Sequence, residues 1–113
     1  MKKNAIAVLI VLLAVMGMCG CIYKEKESDE IKEIINDCIA LCEEARANMN
    51  LSHGPCLSDN NPKWKHEGWV CDVAHSPRLP VDNLPENQCR EYREGKASHF
   101  VEVNEQCEYI RHY

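Results

Sequence analysis

The stretch Ile31-Lys32-Glu33-Ile34-Ile35-Asn36-Asp37-Cys38-Ile39-Ala40-Leu41-Cys42-Glu43-Glu44-Ala45 decides the fold. Ile31, Ile34, Ile35, Cys38, Leu41, Cys42 and Ala45 recur at steps of three and four residues, and Met49 continues the series. That spacing lays one apolar stripe along an amphipathic helix, with Glu30, Glu33, Asp37, Glu44 and Asn48 falling away from it. Ser28 offers an N-cap, and Asp29 and Glu30 fall in the first turn, where the helix dipole favours acids. The helix is expected to end near Asn50, ahead of Ser52-His53-Gly54-Pro55. Cys38 and Cys42 sit one turn apart on the stripe. Neither bridges the other readily, so both are expected to reach into the rest of the fold.

The chain has 8 Cys in 113 residues. With Cys19 and Cys21 set aside at the end of an apolar leader, Cys38, Cys42, Cys56, Cys71, Cys89 and Cys107 remain. An even set in a small exported domain reads as a disulfide framework, for which sequence alone allows about fifteen pairings. The favoured arrangement joins Cys71 to Cys89 and ties Cys38 and Cys42 to Cys56 and Cys107 in either order. A metal-binding module is an alternative. The sequence holds no C-x2-C pair, however, and His53, His66, His75, His99 and His112 are scattered, so neither a cofactor nor a metal is expected.

Gly68-Trp69-Val70-Cys71-Asp72-Val73 reads as a strand with Trp69, Cys71 and Val73 on one face. Ser98–Val103 and Cys107–Tyr113 are both rich in strand formers, and Asn104-Glu105-Gln106 suits a short hairpin turn. Residues 52–66 form a turn-rich loop pinned by Cys56. Residues 75–97, with Pro77, Pro80 and Pro85, form a long loop of the kind that is uncommon unless functional or stapled. The expected fold class is α+β: one N-terminal helix packed on a small three-stranded antiparallel sheet and stapled by disulfides.

Everything before this domain reads as an address. Lys2 and Lys3 precede an unbroken apolar run from Ala5 to Met16, the pattern of an export signal peptide. Gly20-Cys21 resembles a lipoprotein processing site, which implies lipidation of Cys21; an uncleaved anchor helix is the alternative. The expected organisation is a leader over 1–21, a charged tether over 22–27 and one cysteine-rich domain over 28–113. The domain is then held at the cell membrane, in the cell envelope, facing away from the cytoplasm. Apart from Lys2 and Lys3, 11 Lys and Arg face 18 Asp and Glu, a balance that repels nucleic acid. Past Cys21 only 35 of 92 residues are apolar, which leaves a thin core and excludes a multidomain enzyme.

Two sets of residues could carry function. The first lies at and within the long loop: Asp72, His75, Arg78, Asp82, Asn83, Glu86 and Asn87 form a candidate binding surface for an unknown protein or small ligand. The second is His99-Phe100-Val101-Glu102-Val103, which resembles the histidine strand of transglutaminase-like and related cysteine peptidase folds. That resemblance implies a thiol hydrolase or transferase with Cys38 or Cys42 as nucleophile and His99 as base. The runs Trp69–Arg78 and Pro80–Cys89, with the Gly-Cys-Ile start at Gly20, resemble small cysteine-rich lipoproteins of archaea. This second resemblance covers most of the domain and implies no particular activity. The favoured expectation is a noncatalytic binding module.

Overall fold

The computed structural model describes residues 29–113. The first helix, α1, occupies 29–46 and ends in a turn over 47–49. Residues 33–113 form one compact unit; of the unit Met1–Lys32, only the first helical turn falls among the described residues. The expectations for the leader, Cys21, the tether and the Ser28 cap lie outside the described residues.

The apolar stripe of α1 packs as its spacing predicts from Ile34 to Ala45, but the helix stops short of the expected end near Asn50 and Met49 leaves the stripe. Ile34, Cys38, Leu41 and Cys42 are buried, Ile35 and Ala45 are packed beside them, and Met49, past the helix end, is exposed. Their partners are Cys71 and Val73 on β1 (Trp69–Val73) and Val101 and Val103 on β2 (His99–Val103), with Leu51, Leu57 and Cys107 closing the layer. The third strand, β3 (Tyr109–His112), completes a sheet of order β1-β2-β3.

The sheet is mixed, not purely antiparallel. β1 and β2 run parallel, with Trp69 opposite His99, Cys71 opposite Val101 and Val73 opposite Val103; β2 and β3 are antiparallel. Parallel neighbours require a crossover, and residues 74–98 supply it. The crossover is not an irregular loop. It contains 3-10 turns at Pro80–Asn83 and Pro85–Asn87 and a one-turn helix, α2 (Arg90–Arg93). It lies over the face of the sheet opposite α1, where Val70, Cys89 and Ala97 form a second small core with Phe100 and Cys56 against it. β3 starts at Tyr109 because Cys107 sits at φ +65° in the hairpin turn. Asn104 holds that turn by accepting the amide hydrogens of Gln106 and Glu108 at 3.0 and 2.9 Å.

Among the described residues three disulfides close the structure: Cys38–Cys71, Cys42–Cys107 and Cys56–Cys89. Cys42–Cys107 is one of the expected alternatives, whereas Cys71–Cys89 is not formed. The reason is strand alternation, since successive side chains of β1 point to opposite faces. Cys71 shares the α1 face with Val73, while Cys89 lies on the crossover face with Val70, so Cys71 meets Cys38 and Cys89 meets Cys56.

Candidate functional site

The residues of the sheet that turn away from α1 build the site. In the parallel register Val70 lies opposite Phe100, and Asp72 opposite Glu102, all on the crossover face. A carboxylate pair on a buried sheet face needs compensation, and the two acids receive it differently. Glu102, 4 % exposed, is held between two arginines: Arg78 Nη1 donates to Oε2 at 2.9 Å, and Arg111 Nε donates to Oε1 at 2.7 Å. Arg78 comes from the crossover and Arg111 from β3, so one carboxylate ties both elements to the central strand.

Asp72 has no such arrangement. Its Oδ1 is enclosed and has no hydrogen-bond partner among the described residues. Burial of the carboxyl, reinforced by Glu102 and Asp82, pushes it from the ordinary 3.8 up to about 9, against opposing effects from Arg78 and the Val73 amide. At neutral pH it is therefore a neutral acid with a proton to donate.

These groups line a pocket of about 440 Å³ between the sheet and the crossover. Phe100 and Tyr92 form its apolar wall, packed edge to face with ring centroids 5.2 Å apart. The Arg111 guanidinium stands 5.2 Å from the Phe100 ring centre. Arg93 enters from α2 and donates to the Pro85 carbonyl at 3.0 Å. The charged lining is thus Arg78, Arg93 and Arg111 against Glu102, with Asp72 neutral, an excess of two positive charges in a chain of net charge −5.

The second edge of the site is a short antiparallel bridge. The Leu57 amide donates to the Cys71 carbonyl at 2.8 Å and the Val73 amide to the Pro55 carbonyl at 3.1 Å, which sets Cys56 beside Asp72. Ligand atoms of Cys56, Asp72 and Cys89 then lie within 4.8 Å of one another. The two sulfurs are joined in a bridge, and a disulfide does not provide the thiolates that a metal would need.

Of the loop residues predicted to bind, only Asp72 and Arg78 reach the pocket. Asp82, His75, Asn83 and Asn87 hold the crossover in shape. Asp82, 2 % exposed, accepts the amide hydrogens of His75 and Leu79 at 3.1 and 2.9 Å and pairs with His75 Nδ1 at 2.9 Å. Burial raises its pKa, but the Leu79 and His75 hydrogen bonds outweigh that effect and leave the carboxyl below its ordinary value. Asn83 accepts from Arg78 Nε at 2.8 Å, buried Asn87 donates to the Val81 carbonyl at 3.0 Å, and Glu86 is exposed.

The thiol hydrolase constellation is not assembled. Cys38 and Cys42 are fully buried and bridged, so neither is a free nucleophile. The exposed His99 ring stacks on Trp69 with centroids 4.6 Å apart, and its Nδ1 lies 3.1 Å from the Tyr113 carbonyl. Sequence reading missed Glu102, Arg111, Arg93, Tyr92 and Phe100 as site residues. The available signal was the second face of the two inner strands, where Val70 and Asp72 align with Phe100 and Glu102. Compared with known proteins, the chain matches no family model, no curated protein and no solved structure.

Proposed function

We propose that this chain is an exported, membrane-tethered binding module of the cell envelope. It is anchored by its N-terminal leader, akin to small cysteine-rich archaeal lipoproteins, and takes a small anionic ligand with an apolar portion. One observation carries the binding reading: Arg78, Arg93 and Arg111, the Phe100 and Tyr92 rings and the neutral Asp72 carboxyl converge on one pocket. An anion there meets guanidinium donors and an acid O–H, and its apolar part meets the two rings. The three disulfides support an extracytoplasmic setting. Among the described residues Cys38 and Cys42 are both bridged and offer no free thiol to His99, and the pocket is read as one that retains a ligand.

Titration of the full chain with phenyl phosphate and benzoate, followed by amide chemical shifts, tests this reading. Resonances of Val70, Phe100 and Arg93 are expected to move, and Arg93→Ala to weaken binding about tenfold by loss of one charge-assisted contact. Millimolar probe that leaves those resonances in place, or moves them equally in Arg93→Ala, overturns it.

A further inference from the structure

The three bridges occupy different surroundings. Cys38, Cys42 and Cys71 are wholly buried and Cys107 is 4 % exposed, so Cys38–Cys71 and Cys42–Cys107 are sealed in the layer between α1 and the sheet. The third bridge lies on the other face. Cys56 is half-buried, and Cys89, 3 % exposed, forms part of the pocket wall. Three polar groups attend this bridge, the first being the Cys71 carbonyl oxygen, 3.6 Å from Cys56 Sγ and 3.5 Å from Cys89 Sγ. The Asp72 carboxyl lies within 4.8 Å of both sulfurs, with one oxygen enclosed and, among the described residues, unpartnered. The Ser58 hydroxyl, which accepts the Cys71 amide hydrogen at 3.0 Å, lies 3.5 Å from Cys56 Sγ and 3.8 Å from Cys89 Sγ.

We propose that Cys56–Cys89 is a thiol–disulfide exchange site that takes two electrons from an external dithiol, with Asp72 as proton donor to the departing sulfur. A thiolate of the dithiol attacks Sγ of Cys56, the less buried residue of the pair, and forms a mixed disulfide while the Cys56–Cys89 bond breaks. Cys89 leaves as a thiolate inside the pocket and takes the Asp72 proton, with the Ser58 hydroxyl placed to stabilise the developing charge. The second thiol of the dithiol gives its proton to the Asp72 carboxylate, and its sulfur attacks the first to release Cys56. The Cys56 thiolate takes the proton that the first thiol shed to solvent. The sum is one bridge reduced to two thiols and one dithiol oxidised to a cyclic disulfide. The raised pKa of Asp72, set by burial with Glu102 and Asp82 facing it and opposed by Arg78, keeps that proton in place at neutral pH. The two sealed bridges tie α1 to the sheet throughout, so the fold survives the exchange. This activity does not depend on which anion fills the pocket.

The test treats the full, oxidised chain with dithiothreitol under native conditions at pH 7, alkylates at intervals and maps the labelled peptides. Of the six bridged cysteines, Cys56 and Cys89 are expected to be labelled first and together, with circular dichroism unchanged. Labelling of the six bridged cysteines in step, or loss of the dichroism as Cys56 and Cys89 are labelled, overturns the proposal. In Asp72→Asn, reduction of this bridge is expected to slow by about a hundredfold, the lower end of the scale of a lost general acid; an unchanged rate in the folded variant removes Asp72 from the mechanism. Glutathione in place of the dithiol gives a readout that needs no variant: the adduct is expected on Cys56, and an adduct on Cys89, or none, overturns the assignment.

Discussion

Asp72 and Asp82 are two aspartates ten residues apart whose surroundings shift them in opposite directions, and each shift has a consequence for stability. Asp72 is raised from 3.8 to about 9 in the folded chain. The folded state therefore keeps a proton that the unfolded chain sheds above pH 3.8. Stability linked to this group is complete below that pH and declines as pH rises to about 9. Asp72→Asn, which mimics the neutral carboxyl, is expected to abolish the decline. Its melting temperature should exceed that of the parent by about 5 °C or more at pH 9 and match it closely at pH 4; a pH-independent difference contradicts the assignment. Asp82 behaves in the reverse sense. Its pKa is lowered in the fold, so its contribution is present above pH 3.8 and is lost as pH falls through the folded value. Asp82→Ala strands the His75 and Leu79 amides and is expected to cost about 3 kcal/mol at neutral pH, measured by urea denaturation. Gly54 belongs to the same cluster. A Cβ there would stand 2.7 Å from Asp82 Oδ1 and 3.0 Å from the Val73 carbonyl, at a φ of +69°. Gly54→Ala is accordingly expected to destabilise by about 2 kcal/mol in the same assay.

At the scale of elements, what decides the architecture is that β1 and β2 are covered on both faces. A strand buried on one face alternates cleanly, and that expectation found Trp69, Cys71 and Val73 on the α1 side. Yet Val70, Cys71, Val73 and Ala74 are all buried, a nearly continuous run of the kind that marks two-sided burial in a parallel sheet. The sequence therefore carried the signal for a crossover, but the three prolines within 75–97 read more strongly as loop. The helix and strand positions were legible because their periods are local. The pairing of Cys71 was not, because it depends on which face the crossover occupies. The pocket acids were equally hidden: Glu102 reads as one polar residue in a strand until Arg78 and Arg111 arrive from 24 and 9 residues away. Those two contacts lock the crossover and β3 to β2. Both arginines are substantially exposed, which moderates their strength. Glu102→Gln is expected to cost about 1–2 kcal/mol and to speed amide hydrogen exchange at Asp82, Leu84, Asn87 and Gln88. Protection at Ile34–Cys42 of α1 should hold; equal loss of protection in both regions would show that the carboxylate stabilises the whole unit and not this junction.

For the molecule as a whole, the cysteines replace a core. Among the described residues five of the fifteen buried apolar side chains are bridged cysteines, and none of the fifteen is aromatic. Hydrophobic burial on that scale stabilises a small domain only marginally. The bridges act instead on the unfolded chain. Cys42–Cys107 closes a loop of sequence separation 65, and Cys38–Cys71 and Cys56–Cys89 each close one of 33. On the chain-entropy account loops of these sizes are worth about 3–4 kcal/mol each. Together they approach the entire stability of an ordinary domain, roughly 5–15 kcal/mol. Removing Cys42–Cys107 by paired alanine substitution frees α1 from the hairpin turn and is expected to lower stability by about 4 kcal/mol in urea. Full reduction with excess phosphine in mild denaturant removes all three constraints and is expected to unfold residues 33–113 at 25 °C, read by the loss of near-ultraviolet dichroism from Trp64 and Trp69. A fully reduced chain that melts at the temperature of the oxidised one would mean that Val73, Val101, Val103 and their neighbours suffice, and the bridges would then be incidental to the fold.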